Sequence, residues 1–198
     1  MYVDEIRAYT PQNEQEAADQ RLILEYIRLF PDNILTRDNE IAHLSSSGFV
    51  VNADGTRVLM AHHNIYRVWA WTGGHADGEG DLLSVALREA REETGLTLTD
   101  YRYRGIVTFV SDRWPTEYMH LFTADGFTGT LKECDEGDLE WIPKSRLLEL
   151  PHWEGDAIFL ALLDREEEPF FSLKLRYEGE TLAEAVLNGT HLKGGPAV

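Results

Sequence analysis

The stretch that decides the reading of this chain is GGHADGEGDLLSVALREAREETGL, residues 73 to 96. Its second half has the marks of a helix. Asp81 suits an N-cap, and Gly95 falls where a helix commonly ends on a left-handed residue. Between them Glu89, Glu92 and Glu93 stand at i, i+3 and i+4, so three carboxylates project from one face. That acidic line continues Leu82, Val85 and Ala86 around the axis, and Leu83, Leu87 and Ala90 form an adjoining apolar stripe. The acidic patch therefore borders packed surface. An ordinary solvated face would interleave opposite charges, whereas Glu89 and Glu93 are a like-charge i,i+4 pair that costs a few tenths of a kcal/mol if uncompensated. Glu92 can reach back to Arg88, but nothing nearby in sequence neutralises the other two. A hard divalent cation would do so, since Mg²⁺ takes carboxylate oxygens and bridges to substrate phosphates. On the triplet alone, a charged surface face and a metal site are equally good readings.

The chain on either side reads as a mixed fold. Residues 13–30 form an amphipathic helix: Asn13 with Glu16 makes a capping box, Ala17, Leu22, Ile23, Ile27 and Phe30 recur at helical spacing, and Pro31 stops it. After the polar connector PDNILTRDNE, residues 49–52 and 56–61 read as a hairpin around Ala53-Asp54-Gly55. Residues 67–71 form a third strand ending on Gly73-Gly74. Further strands are expected near 103–110, 117–123 and 139–142. A second apolar-faced helix follows Pro151 near 154–165, then a terminal hairpin of 170–177 and 181–186 around Glu178-Gly179, and a frayed HLKGGPAV tail. This order predicts the α/β class, an α/β/α sandwich on a mixed β-sheet with an N-terminal helical extension. The extension is assigned to residues 1–40 and the main domain to 41–190.

Composition narrows the function classes. The chain has 198 residues, 35 acidic against 18 basic, for a formal charge of −17. Without a Lys/Arg-rich run such a chain repels long nucleic acid, which is excluded as a partner. Its single cysteine, Cys134, rules out an internal disulfide and lacks an evident base beside it. The longest apolar run, Ala157 to Leu163, is far too short for a membrane span, and MYVDEIRAYT has no signal-peptide core. The expectation is a cytoplasmic protein without a membrane partner, monomeric or homodimeric.

Two other metal readings fail. Asp77, Glu79 and Asp81 alternate as in a Ca²⁺ loop, but the glycine such a loop needs is Leu82 and its closing glutamate is Arg88. His62 and His63 are adjacent on a strand and so point to opposite faces.

The glycine pair, the loop and Arg88-Glu89-Ala90-Arg91-Glu92-Glu93-Thr94-Gly95-Leu96 together resemble the Nudix box, G-x5-E-x7-R-E-U-x-E-E-x-G-U with U apolar. Gly74 fills its first position and the spacing to Arg88 is right. The family's first Glu falls on Gly80, flanked by Glu79 and Asp81; that Glu supports the loop, so a Gly80→Glu change is expected to rigidify it. Residues 42–175 resemble the whole Nudix fold. Residues 1 to about 95 are similar to bacterial Nudix proteins of loosely defined substrate. Those from about 94 onward, including GIVTFVSD, TEYMHLFTADGF, KECDEGDLEW and LPHWEGD, resemble enzymes that hydrolyse oxidised purine nucleoside triphosphates such as 8-oxo-dGTP.

The resemblance implies an enzyme that directs water at a phosphoanhydride. Glu89, Glu92, Glu93, Glu136 and the Gly74 carbonyl would hold Mg²⁺, with Mn²⁺ as a substitute. One of Glu89, Glu92 or Glu136 would be the general base, and Arg88 would orient Glu89. His75 would lie near the phosphates, Trp153 would stack on the purine, and Asp156 would bond its edge. Gly155 stands where several such enzymes carry a second acid. Bland roles stay open beside these: core packing for Trp153, an N-cap for Asp156, a turn acid for Glu136, a loop residue for His75. A (deoxy)nucleoside triphosphate leads as substrate. ADP-ribose or another nucleoside diphosphate derivative, and a ligand-sensing module without hydrolysis, are the alternatives.

Overall fold

The computed structural model describes residues 2–64, 67–165, 167 and 169–194. A short helix the sequence reading missed, α1 (Tyr2–Ala8), precedes α2 (Glu14–Leu29). It buries none of its residues, so no strong apolar periodicity marks it. The α2 cap forms as expected: the Asn13 side chain accepts the Glu16 N–H at 3.0 Å, and Glu16 in turn accepts Asn13 Nδ2 at 2.8 Å.

The strands are β1 (Ala42–Val50), β2 (Arg57–His63), β3 (Trp69–Ala70), β4 (Thr72–His75), β5 (Leu96–Ser111), β6 (Thr116–Gly129), β7 (Gly137–Pro143), β8 (Phe171–Glu178), β9 (Thr181–Leu187) and β10 (Thr190–Lys193). Helix α3 (Leu82–Thr94) joins β4 to β5, and α4 (Asp156–Leu163) lies between β7 and β8. They build a seven-stranded sheet in the order β10-β9-β8-β5-β6-β1-β4 and a three-stranded sheet in the order β3-β2-β7. The larger sheet is mixed, because β1 runs parallel to β6 and β5 parallel to β8.

The larger sheet buries both faces, and the period-2 alternation of its strands sorts residues between them. Leu44, Ile106 and Tyr118 face α2 through Ile23, and farther along the same face Val50, Leu98 and Ala124 pack with Ala90 of α3. On the opposite face Phe49, Val107, Leu121 and Leu173 meet Val58 and Met60 of the small sheet and Phe159 and Leu162 of α4.

Three expectations are corrected. The turn at residues 52–57 forms, with Gly55 at φ +73°, but β1 and β2 share only the bridge Val51–Val58 before entering different sheets. What reads locally as a hairpin is a corner between sheets, because Phe49 and Val58 fill one core from its two sides. The expected strand at 67–71 shortens to β3, Trp69–Ala70, which pairs with β2; past Trp71 the chain enters the larger sheet as β4, which pairs with β1. Lastly, the first three residues of the expected frayed tail, His191 to Lys193, belong to β10 (Thr190–Lys193), which adds to β9, while residues 195–198 lie outside the described residues. No helix among the described residues is long and apolar enough to cross a membrane.

Candidate active site

Helix α3 is fixed at both ends by the residues its sequence predicts. Asp81 accepts the N–H groups of Leu83 and Ser84 at 3.1 and 3.2 Å, and Gly95 closes the helix at φ +80° with its N–H on the Arg91 carbonyl. Ser46 Oγ donates to the Leu82 carbonyl at 2.6 Å, tying the start of the helix to β1.

The glycine pair does not end a strand, as expected, but lies inside β4, opposite Ser47 and Ser46 of β1. The physical reason is space. A Cβ on Gly73 would stand 2.5 Å from Ser47 Oγ, and one on Gly74 would stand 2.7 Å from the carboxyl carbon of Glu89. Only glycine lets β4 approach β1 and the acidic face of α3 this closely.

The three glutamates of that face differ in surroundings. Glu93 is buried and accepts the Gly73 N–H at 3.0 Å. Burial, then the charges of Glu136 and Glu89, push its carboxyl up to about 8 despite that bond. Glu89 is half-buried and raised for the same first reason, opposed by Arg88 and reinforced by Glu92 and Glu136. Arg88 lies 2.7 Å from Glu89 and 3.4 Å from Glu92, so it serves both, where sequence spacing pointed to Glu92 alone. Glu92 is exposed. Glu136 belongs to the turn before β7, where its carbonyl accepts the Asn64 N–H at 2.7 Å, near enough for its charge to act on both helix carboxylates.

Among the described residues no three carboxylate, imidazole or thiol groups converge on one point as a ready-made metal cage. Like charges of this density spread apart; Glu89 and Glu92 share the Arg88 guanidinium and Glu93 takes a backbone N–H. The donor set is all oxygen, and Glu93 has no cation on it among the described residues. That combination fits a hard divalent ion.

A cleft of about 420 Å³ opens on the other face of the larger sheet, next to its edge strand β4. His75, Trp153 and Asp156, predicted separately, all line it. So do residues the sequence reading passed over: Trp71, Phe109, Trp114, Met119, His43 and Glu117. These come from four different stretches of chain, and no local pattern joins them. Glu117 is held by Ser45 Oγ at 2.5 Å, and the His43 and His75 rings lie 4.8 Å apart. Burial and His43 lower the His75 pKa, which leaves it a neutral donor or acceptor at pH 7.

Trp153 is more than one-third exposed and meets Trp114, Phe109 and Tyr177 edge to face at 5.7, 6.3 and 4.9 Å. Asp156 is not an N-cap; Gly155 occupies that position without a side-chain bond. The Asp156 carboxylate turns back to accept the Trp153 N–H at 3.0 Å, and burial raises its pKa to about 6. Gly155, where a second acid was expected, is explained by packing. A Cβ there would lie 2.6 Å from Leu175 Cδ1 and 2.8 Å from the Tyr177 hydroxyl, to which the Gly155 N–H donates.

Gly80 has a similar explanation. Tyr2 of α1 covers it, and a Cβ would stand 2.7 Å from Tyr2 Cδ1. A Gly80→Glu change is thus expected to dislodge Tyr2 and loosen α1, not to stiffen the loop. Limited proteolysis should then cut within residues 2–12 several-fold faster than in the parent; an unchanged cleavage rate would show that Tyr2 finds another seat. His62 and His63 end β2, and His62 packs on Trp69 at 5.1 Å.

The NUDIX domain family matches residues 42–163, spanning the acidic helix and the cleft. Among curated proteins, one from Bacillus subtilis described as an uncharacterized Nudix hydrolase, YvcI, is 32% identical over 97 residues, 46% of this chain and 61% of the relative. A CMP-5'-(N-acetyl-N-hydroxy-3-aminopropyl)phosphonate hydrolase of Streptomyces rubellomurinus is 33% identical over 113 residues, 51% of this chain and 52% of the relative. The chain thus spans only about half to three-fifths of the length of these relatives. Of solved structures, the mutator MutT protein of Bacillus halodurans aligns with a TM-score of 0.65 at 26% identity, covering 73% of this chain and 97% of that one. A MutT Nudix hydrolase of Burkholderia pseudomallei shares the fold, with a TM-score of 0.55 at 20% identity over 62% of this chain and 98% of its own.

Proposed function

We propose, from the premise that this chain belongs to the Nudix family, that it hydrolyses a purine nucleoside triphosphate, oxidised purines included, to the monophosphate and pyrophosphate. One observation carries this reading. Two consecutive residues of the edge strand β4 serve two chemistries: the Gly74 backbone abuts Glu89 on the acidic face, and His75 lines the aromatic cleft with Trp153 and Asp156. An elongated ligand lying across that edge would have its anionic end at the carboxylates and its flat base among the indoles.

A divalent cation, Mg²⁺ with Mn²⁺ as substitute, held by Glu89, Glu92, Glu93, Glu136 and the Gly74 carbonyl, would neutralise the phosphates and acidify the attacking water. The chain's own groups do the rest. Arg88 holds Glu89 in place through a charge-assisted bond at 2.7 Å. One of Glu89, Glu92 or Glu136 accepts the proton of the water. His75, neutral, donates to a phosphate oxygen without adding charge.

Asp156 reads the base edge. Its pKa of about 6 means that it accepts hydrogen bonds at pH 7.5 and turns into a donor as pH falls below 6. Trp153→Ala is expected to raise KM about tenfold with a smaller change in kcat, since stacking on an indole contributes about 1–3 kcal/mol to ground and transition state alike. Asp156→Asn should narrow the preference between 8-oxo-dGTP and dGTP, and that preference in the parent should change across pH 6. The deciding experiment is a nucleotide panel with Mg²⁺ and product identification. Faster turnover of ADP-ribose than of any triphosphate would overturn the substrate, and no turnover of any nucleotide would favour a sensing module.

A further inference from the structure

A second cavity, larger than the aromatic cleft, lies elsewhere in the molecule. A chamber of about 710 Å³ lies between the N-terminal helices and the α2 side of the larger sheet, with Gly80 to Leu83 at the start of α3 as one wall. Its aromatic lining is unusual. Tyr103 leaves 39% of its surface uncovered. It stacks on Phe122 at 4.9 Å, tilts against Phe170 at 5.2 Å, and its hydroxyl bonds His120 Nδ1 at 2.7 Å. Burial drives the His120 pKa down to about 4, so this imidazole is neutral and brings no positive charge.

Among the described residues, the charged side chains that line the chamber are all acidic: Glu5, Glu16, Asp19, Glu79 and Asp81. Glu16 and Asp19 are the informative pair, being only 5% and 4% exposed. Glu16 accepts the Tyr9 hydroxyl, the Gln12 N–H and Asn13 Nδ2; Asp19 accepts Gln15 Nε2 and Ser172 Oγ. Those bonds satisfy lone pairs but leave the charges uncancelled, and neither carboxylate is ion-paired to a described residue. Lys174 is near enough to act on Asp19, yet its ammonium is committed to Glu184 at 2.7 Å. The N-terminus of α2 eases Glu16, which sits in its first turn, but Asp19 lies beyond that reach. Buried charges are ordinarily paired, and here an open space bounded by ring faces adjoins two that are not.

We propose that this chamber is a binding site for an organic ammonium ion with an apolar body, seated against Tyr103, Phe122 and Phe170 with Glu16 and Asp19 as its counter-charges. Ring faces attract cations through their quadrupole, most strongly where water is excluded. The anionic nucleotides read by the cleft would be repelled by the same walls, so the two sites sort ligands by charge.

Isothermal titration of the intact protein with benzyltrimethylammonium tests this. One-site saturation is expected, at least about tenfold tighter than for the neutral N,N-dimethylbenzamide and with no binding of benzoate. Asp19→Asn keeps the size of the side chain and one oxygen to accept from Gln15 and Ser172, so it should fold; it should weaken the ammonium about tenfold and raise the melting temperature of the unliganded protein. Tyr103→Leu should weaken binding to a similar degree, and Trp153→Ala, in the other cleft, should leave it unchanged. The proposal is overturned by the absence of saturable binding, by equal affinity for the neutral compound, or by loss of binding in Trp153→Ala with retention in Asp19→Asn. Because the readout is binding, its failure is distinct from any failure of the proposed hydrolysis.

Discussion

Replacing Glu93 with Gln is expected to lower nucleotide turnover by about two orders of magnitude or more, while making the metal-free protein more stable at pH 8. The first half follows from removing a charge from the acidic face where the substrate's phosphates are to be neutralised, which is on the scale of losing one electrostatic stabiliser. The second half follows from burial. The folded-state pKa of Glu93 is about 8, against 4.5 for the free side chain. Between those values the folded protein keeps a proton that the unfolded chain has released, so this group's contribution to stability falls as pH rises from 4.5 through 8. The amide of the variant has no proton to lose. In excess chelator the variant should therefore gain on the parent across that window, by on the order of 4 kcal/mol at pH 8. Glu92→Gln should lose turnover similarly but leave the melting curve unchanged, because Glu92 is exposed. Steady-state rates with Mg²⁺ and thermal melts without it separate the two effects. Parent turnover persisting in chelator, or a Glu93→Gln variant with normal rates, would remove the basis for the proposed chemistry.

The second large effect is expected far from the carboxylates. Arg104 is 3% exposed, and its guanidinium donates to the carbonyls of Leu162, Leu163 and Arg165 at 3.0, 3.1 and 2.6 Å. It thereby caps the C-terminus of α4, where the helix dipole favours a cation. The pairing of β5 with β6 slips between Tyr103 and Gly105, leaving Arg104 as the extra residue of a bulge. Arg104→Leu would strip buried carbonyls of their donor, at about 1–3 kcal/mol for each group left unsatisfied. The expected cost is about 3 kcal/mol or more, a fall of roughly 6–12 °C in melting temperature for a chain of this size. Because α4 begins at Asp156, KM should rise along with the loss of stability. A melting temperature within a degree or two of the parent would mean that α4 is held by its apolar face alone.

The sequence by itself determined what depends on neighbours along the chain. Asp81 and Gly95 set the limits of α3, the 3.6-residue period gathered Glu89, Glu92 and Glu93, and Asn13 with Glu16 marked the start of α2. Each of these is decided within a turn or two, so local chemistry suffices. The turn at Glu178-Gly179 likewise announced β8 and β9. What sequence left open was decided by pairing between distant segments. The corner after Asn52 reads as a hairpin because a turn carries no record of which sheet its second strand will enter. Gly73 and Gly74 read as a strand end because their purpose, room for Ser47 and for the Glu89 carboxylate, exists only once β1 and α3 are in place. Glu93 and Glu92 look alike in the sequence; burial against Gly73 makes one a carboxyl near pH 8 and leaves the other in water. The cleft drew Trp71, Phe109, Trp114 and Trp153 from separate stretches of chain, and the burial of Arg104 depends on α4 bringing its carbonyls onto it. In each case the deciding quantity is the removal of a group from water by residues far away in sequence, which is a property of the packed molecule.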